Sequence, residues 1–221
     1  MKLVTSTGPN EAIVYLADVL QKQLGSDKRV LWLIPGGSAI AVAAGVSKLL
    51  AGQDLHNLTV SVTDERYGEM DHSDENWTQL LVAGLVLPGA RLYRVLNGQS
   101  REQTTAAYGS FLFEAFDSCD YAIGLFGIGS DGHTAGIKPQ SSAIIDDVYA
   151  ADFDYPDFQR ITMTTYAISK LDEAVVYAQG QDKFPVVSQL LHEDVPIDVQ
   201  PAQILKKVPK STIFSDFAET K

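Results

Sequence analysis

Two residues able to move a proton, Asp131 and His133, stand two apart in the turn Gly127-Ile128-Gly129-Ser130-Asp131-Gly132-His133. An imidazole titrates near neutral pH, and a carboxylate beside it can fix its orientation and tautomer. Three glycines in six residues let the backbone take positive φ and approach a bound group. The turn follows the apolar run Tyr121–Phe126, which has the pattern of a strand buried on both faces. In an open α/β sheet the carboxyl end of such a strand borders the ligand crevice. The alternative is a plain connection in which Asp131 and His133 are turn or capping residues. The turn also spells G-x-G-x-x-G, a dinucleotide fingerprint when it opens a helix. Here Pro139 arrives seven residues after Gly132 with no helical stripe between them, so the fingerprint lacks its context.

Three further loops carry polar chemistry after apolar runs. Val30–Ile34 reads as a strand and is followed by Pro35-Gly36-Gly37-Ser38, with Ser38 as N-cap of a helix turning Val42, Val46, Leu49 and Leu50 inward. Backbone N–H groups of Gly36, Gly37 and Ser38 at a helix start suit an anion; the same residues also suit a bare tight turn. Leu58–Thr63 reads as a second strand closing on Thr63-Asp64-Glu65-Arg66. This charged run is either a solvated rim or a site in which Arg66 offers phosphate a two-pronged donor. Ala174–Gln179 is another apolar strand and ends on Gly180-Gln181-Asp182-Lys183. Lys183 there disfavours the helix dipole but suits a bound anion.

The remaining elements must position these loops. Residues 9–24 follow helical spacing through Ile13, Leu16, Ala17, Leu20 and Leu24, with Pro9 in the first turn and Gly25 at the end. Ser73 is read as the cap of a helix burying Trp77, Leu80, Leu81 and Leu85, and Arg91–Val95 as a short strand. Ser100 and Gln103 match a capping box for a helix burying Tyr108, Phe111, Leu112 and Ala115. Tyr149–Phe153 and Arg160–Thr164 read as extended, a helix runs through Leu190 and Leu191, and Ser211–Phe214 is a last strand. Alternating strands and helices predict an α/β fold, a three-layer α/β/α sandwich with a mostly parallel sheet. With no repeat or long linker, residues 1–221 are expected to form a single domain.

The formal net charge is 17 − 28 = −11. Such an acidic chain is a poor partner for nucleic acid or an anionic membrane, and positive charge for an anionic ligand must be concentrated locally. The single Cys119 excludes an intramolecular disulfide and suits a reducing compartment. Residues 1–24 lack the basic start and apolar core of a signal peptide, and no apolar run reaches membrane-helix length. A cytoplasmic location is expected; the oligomeric state is left open.

Taken together, PGGS at 35–38, TDER at 63–66, Asn76, GIGSDGHTAG at 127–136, RIT at 160–162, GQDK at 180–183 and PA at 201–202 resemble the 6-phosphogluconolactonase family and its relative, glucosamine-6-phosphate deaminase. The resemblance spans about Val30 to Phe214 and implies a Rossmann-like sandwich acting on a small sugar phosphate. The deaminase pattern has tyrosine where this chain has Arg66, and glutamate where it has Lys138. The lactonase pattern has Arg and Thr where this chain has Arg66 and Thr134, so hydrolysis of 6-phosphogluconolactone is the expected reaction. His133 is then the general base, oriented by Asp131 or Asp64. Gly36, Gly37, Ser38, Arg66 and Lys183 hold the phosphate, with Arg160 as a further helper. No cofactor or metal is implied, and the four histidines lack ligand spacing. The chain departs from the lactonase pattern at Pro35, at Ala39-Ile40 and at Gly136-Ile137-Lys138. Two rival expectations are isomerisation or deamination of an amino-sugar phosphate, with Asp64 moving the proton and His133 opening the ring, and a non-catalytic sugar-phosphate sensor.

Overall fold

The computed structural model describes residues 1–218. Its elements in chain order are β1 (Lys2–Thr5), α1 (Asn10–Leu24), β2 (Val30–Ile34), α2 (Ile40–Leu49), β3 (Leu58–Val62), β4 (Asp64–Arg66), α3 (Asn76–Val82) and β5 (Arg91–Leu92). After these come α4 (Arg101–Ser118), β6 (Tyr121–Gly127), β7 (Ala150–Asp154), β8 (Gln159–Met163), α5 (Thr165–Ile168), β9 (Glu173–Ala178), α6 (Phe184–His192) and β10 (Lys210–Ser215). Seven strands form one sheet in the order β1-β10-β9-β6-β2-β3-β5, parallel at every pairing. Helices cover both sides, giving the Rossmann-like α/β/α sandwich that the alternation predicts.

The sheet's centre is as apolar as its sequence requires. All five residues of β2 are buried, as are all six of β9, because strands covered on two faces have no solvent side. Trp32, Leu33, Phe126 and Val175 lie in this core, and helix α4 adds Tyr108, Phe111, Leu112 and Ala115. Its capping box is half realised, with Ser100 Oγ accepting the Gln103 N–H at 3.3 Å.

The order in which strands are added reverses at β2. From β2 the chain moves outward to β3 and β5 on one side, then returns to β6 on the other and proceeds to β9 and β10. The loops leaving β2 and β6 therefore diverge, opening a crevice at the carboxyl edge between them. A second, antiparallel sheet in the order β4-β8-β7 stands over that crevice. It is tied to the main sheet where Thr63 N–H donates to the Ile34 carbonyl at 2.8 Å and Met163 N–H to that of Thr63 at 2.9 Å.

Several local expectations are corrected. Ser38 caps nothing: Gly37–Ala39 form a 3-10 turn before α2, and Ser38 makes no capping bond. Ser73 does not cap α3, which starts at Asn76. Leu49 and Leu81, expected inside, are exposed because they fall on the outer faces of their helices. Pro9 precedes α1 rather than lying in its first turn, and the strand predicted at 91–95 is regular only over Arg91–Leu92. The short edge strand β1 and the β4 ladder are additions to the predicted set.

Candidate active site

The crevice is a cavity of about 290 Å³. The loop after β2 supplies Gly36, Gly37 and Ser38, and the long loop after β6 supplies His133 and Lys138. Asp64, Arg66 and Arg160 come from the small sheet, with Asn76 at the start of α3. Asp131 stands next to His133 outside this lining, and Lys183 also lies outside it, its ammonium 3.2 Å from Asp182. Lys183 does follow β9, the neighbour of β6, and so sits at the same edge of the sheet.

The β6 loop is shaped to present its imidazole. Gly129 N–H donates to the His133 carbonyl at 3.0 Å and Gly132 N–H to that of Gly129 at 3.0 Å, while Thr134 Oγ1 donates to the Gly127 carbonyl at 2.9 Å. A Cβ on Gly129 would fall 2.2 Å from His133 Nδ1, so only glycine lets the ring fold over the turn. Asp131 Oδ1 lies 2.5 Å from His133 Nδ1 and also accepts the His133 backbone N–H at 3.1 Å. Lys138 closes the group: its Nζ is 3.2 Å from Asp131 Oδ2, 3.1 Å from His133 Nδ1 and 5.1 Å from the Tyr155 ring centre. Burial works to raise the Asp131 carboxyl. The His133 backbone N–H, the imidazole and the Lys138 ammonium outweigh it and bring the pKa down to about 2.

The TDER run is no solvated rim. Asp64 and Glu65 are buried, and Glu65 is fully so. Its carboxylate accepts the backbone N–H groups of Arg66 at 2.8 Å, Asn76 at 2.6 Å and Trp77 at 3.0 Å. It thereby satisfies the start of α3 from another element, a cap supplied at a distance. Burial pushes its pKa up to about 8 against the pull of those three donors. Asn76 Nδ2 then donates to the Asp64 carbonyl at 2.8 Å. A Cβ on Gly36 would fall 2.0 Å from Asn76 Oδ1, so the asparagine leaves room only for glycine there. Asp64 is engaged by Thr63 Oγ1 at 3.0 Å and by Arg160 at 3.8 Å, while Asp131 has the imidazole.

Arg66 and Arg160 are directly opposed across the β4–β8 ladder. Like charges in that position repel. Arg160 is offset by Asp157 at 2.7 Å and Asp64, and Arg66 by the Asp74 carbonyl at 3.1 Å, with Phe158 beside both guanidiniums. The Nε atoms of both arginines are buried without a partner, as is Asn76 Oδ1. Both arginines line the crevice, and paired guanidiniums there suit an anionic ligand. Lys138 and Asp157 also join the lining; Asp157, in a turn beside Pro156, carried no sequence signal for it.

Fold and crevice define a parallel α/β protein whose cationic site, set in an acidic chain, lies at a topological switch point. A family model described as glucosamine-6-phosphate isomerases/6-phosphogluconolactonase matches residues 9–214. The chain belongs to that family. Among curated proteins it is 28% identical over 181 residues to a 6-phosphogluconolactonase of Helicobacter pylori, covering 76% of this chain and 78% of that one. It is 24% identical over 152 residues to a 6-phosphogluconolactonase of Chlamydia trachomatis, covering 66% and 59%. Among solved structures, the 6-phosphogluconolactonase of Thermotoga maritima superposes with a TM-score of 0.83 at 18% identity, over 97% of this chain and 98% of that one. A monomeric glucosamine-6-phosphate deaminase gives 0.80 at 19% identity over 97% of both chains. The fold is common to both activities, so the choice between them falls to the residues in the crevice. No helix among the described residues is long and apolar enough to cross a membrane.

Proposed function

We propose that this chain hydrolyses 6-phosphogluconolactone to 6-phosphogluconate, with His133 as general base. The observation that carries the reading is the contact of Asp131 with His133 Nδ1, which leaves Nε2 as the basic nitrogen in a crevice shared with two arginines. Water gives a proton to Nε2 as its oxygen attacks the lactone carbonyl. Asp131 stabilises the imidazolium that forms, as in other acid–imidazole pairs. The tetrahedral intermediate collapses with rupture of the ring C–O bond, and the imidazolium returns its proton to the departing ring oxygen. Arg66, Arg160 and the N–H groups of Gly36, Gly37 and Ser38 bind the phosphate, and Lys183, beside Asp182 in the free chain, adds positive charge at the same edge of the sheet. The curated relatives named above support lactone hydrolysis.

Isomerisation of an amino-sugar phosphate is the second reading, favoured by the presence of Asp64 in the crevice and by the fold shared with the deaminase. Against it, the residue five after His133 is a lysine and a guanidinium occupies position 66. The test is acid release from freshly generated 6-phosphogluconolactone, corrected for spontaneous hydrolysis, beside an ammonia assay with glucosamine 6-phosphate. Acid release above background without ammonia is expected. Ammonia release, or no acceleration of lactone hydrolysis, would overturn the reading.

A further inference from the structure

One nitrogen in the crevice has two suitors of opposite kind. His133 Nδ1 lies 2.5 Å from a carboxylate oxygen of Asp131 and 3.1 Å from the ammonium of Lys138. The Lys138 side chain is only 12% exposed and is held by the second Asp131 oxygen and the face of Tyr155. A neutral imidazole has one N–H and one lone pair. With hydrogen on Nδ1, the ring donates to Asp131 and Nε2 keeps its lone pair. With the lone pair on Nδ1, the ring accepts from Lys138 and Nε2 carries the hydrogen, so the nitrogen assigned above as the base is no longer one.

We propose that Lys138 is a positioning residue that competes with Asp131 for His133 Nδ1, so that these two side chains together set which ring nitrogen carries the proton. The native balance favours Asp131, because a lone pair at 2.5 Å from a carboxylate oxygen is repelled whereas an N–H there forms a strong bond. While Asp131 is present, Lys138 supports it by engaging Oδ2 and holding the carboxylate in place. Remove Asp131 and the ammonium is the remaining partner of Nδ1, which drives the ring into the unproductive tautomer. Lys138 thus changes from support to obstruction according to what stands at position 131. The inference rests on the reading of His133 as the base, and it makes a statement about tautomers that can be checked without substrate.

The test uses the full chain with 15N-labelled histidine at pH 8, above the ordinary imidazole range. His133 is assigned by its loss in His133→Ala, and two-bond 1H–15N correlations report the tautomer. Wild type and Lys138→Met are expected to show Nδ1–H, and Asp131→Ala to show Nε2–H. The Asp131→Ala/Lys138→Met double variant is expected to show a mixture. For lactone turnover, Asp131→Ala is expected to lose ~10³-fold in kcat, near the scale of a wrong-tautomer triad. Adding Lys138→Met should recover roughly tenfold of that loss. Retention of Nδ1–H in Asp131→Ala, or a double variant slower than Asp131→Ala, would overturn the proposal. A wild-type chain with the expected tautomers and no lactone turnover would leave the competition standing and remove the function assigned to it.

Discussion

Glu65 offers a measurement that tests the structure directly. It is a fully buried carboxyl whose pKa is about 8, against 4.5 for a free glutamate. Between those values the folded chain holds a proton that the unfolded chain has released. A group raised in this way contributes stability that is fully present below about pH 4.5 and is lost as the pH climbs through about 8. At ~1.4 kcal/mol per pH unit, the gap amounts to at most about 5 kcal/mol. The perturbation is Glu65→Gln, which cannot titrate and which turns an N–H donor toward one of the three backbone donors now facing the carboxylate. Losing that acceptor costs about 1–3 kcal/mol at any pH. Urea unfolding at constant temperature from pH 5 to pH 9 is the assay. Wild type should be the more stable at pH 5, lose stability steadily toward pH 8, and converge with or fall below the variant there. Two curves of equal slope would refute the reasoning, as would wild-type stability that rises from pH 5 to 8. Either result would mean that the three N–H groups hold Glu65 ionised throughout.

The other expectations concern the crevice. His133→Ala should lower kcat ~10²–10⁴-fold with little change in melting temperature, and a variant as active as wild type would remove His133 from the mechanism. Arg66→Ala should raise KM for the phosphorylated lactone while sparing slow turnover of unphosphorylated gluconolactone. Lys183→Ala should do the same to a smaller extent, since its ammonium lies beside Asp182; equal losses on both substrates would place either residue at the carbonyl. Gly129→Ala should abolish turnover, because the added methyl overlaps the His133 ring, and wild-type kcat in that variant would show that the loop has room to move. Lys138→Glu puts a second carboxylate beside Asp131 and should weaken phosphate-dependent binding without producing ammonia from glucosamine 6-phosphate. Ammonia release by that one variant would mean that Lys138 rather than Arg66 separates the two activities.

What was legible in the sequence, and what was not, follows from how each residue encodes its place. Val30–Ile34 and Tyr121–Phe126 are apolar throughout, a pattern that only burial on both faces explains, and the parallel sheet follows from them. Asp131 and His133 stand two residues apart beside a glycine-rich turn in which Gly129 leaves room for the imidazole, so local backbone geometry brings the pair together. Glu65 was not legible in this way. Nothing near it in sequence shows that its carboxylate reaches across to the amides of Asn76 and Trp77; the signal lies in a helix whose own N-cap position, Glu75, makes no capping bond. The small sheet escaped for a related reason: β4 is three residues long, and its ladder with β8 is a tertiary pairing between segments almost a hundred residues apart. The two lysines mark where side-chain reach decides. Lys183, expected to bind phosphate, has its ammonium beside Asp182 at the same edge of the sheet, while Lys138 lies in the crevice lining beside Asp131 and Tyr155. Four methylenes let an ammonium choose among partners several ångströms apart, and that choice is made by the finished surface rather than by the spacing along the chain. The residue least constrained by its sequence position is therefore the one that meets the imidazole of His133, at a point where the resemblance to the lactonase pattern lapses.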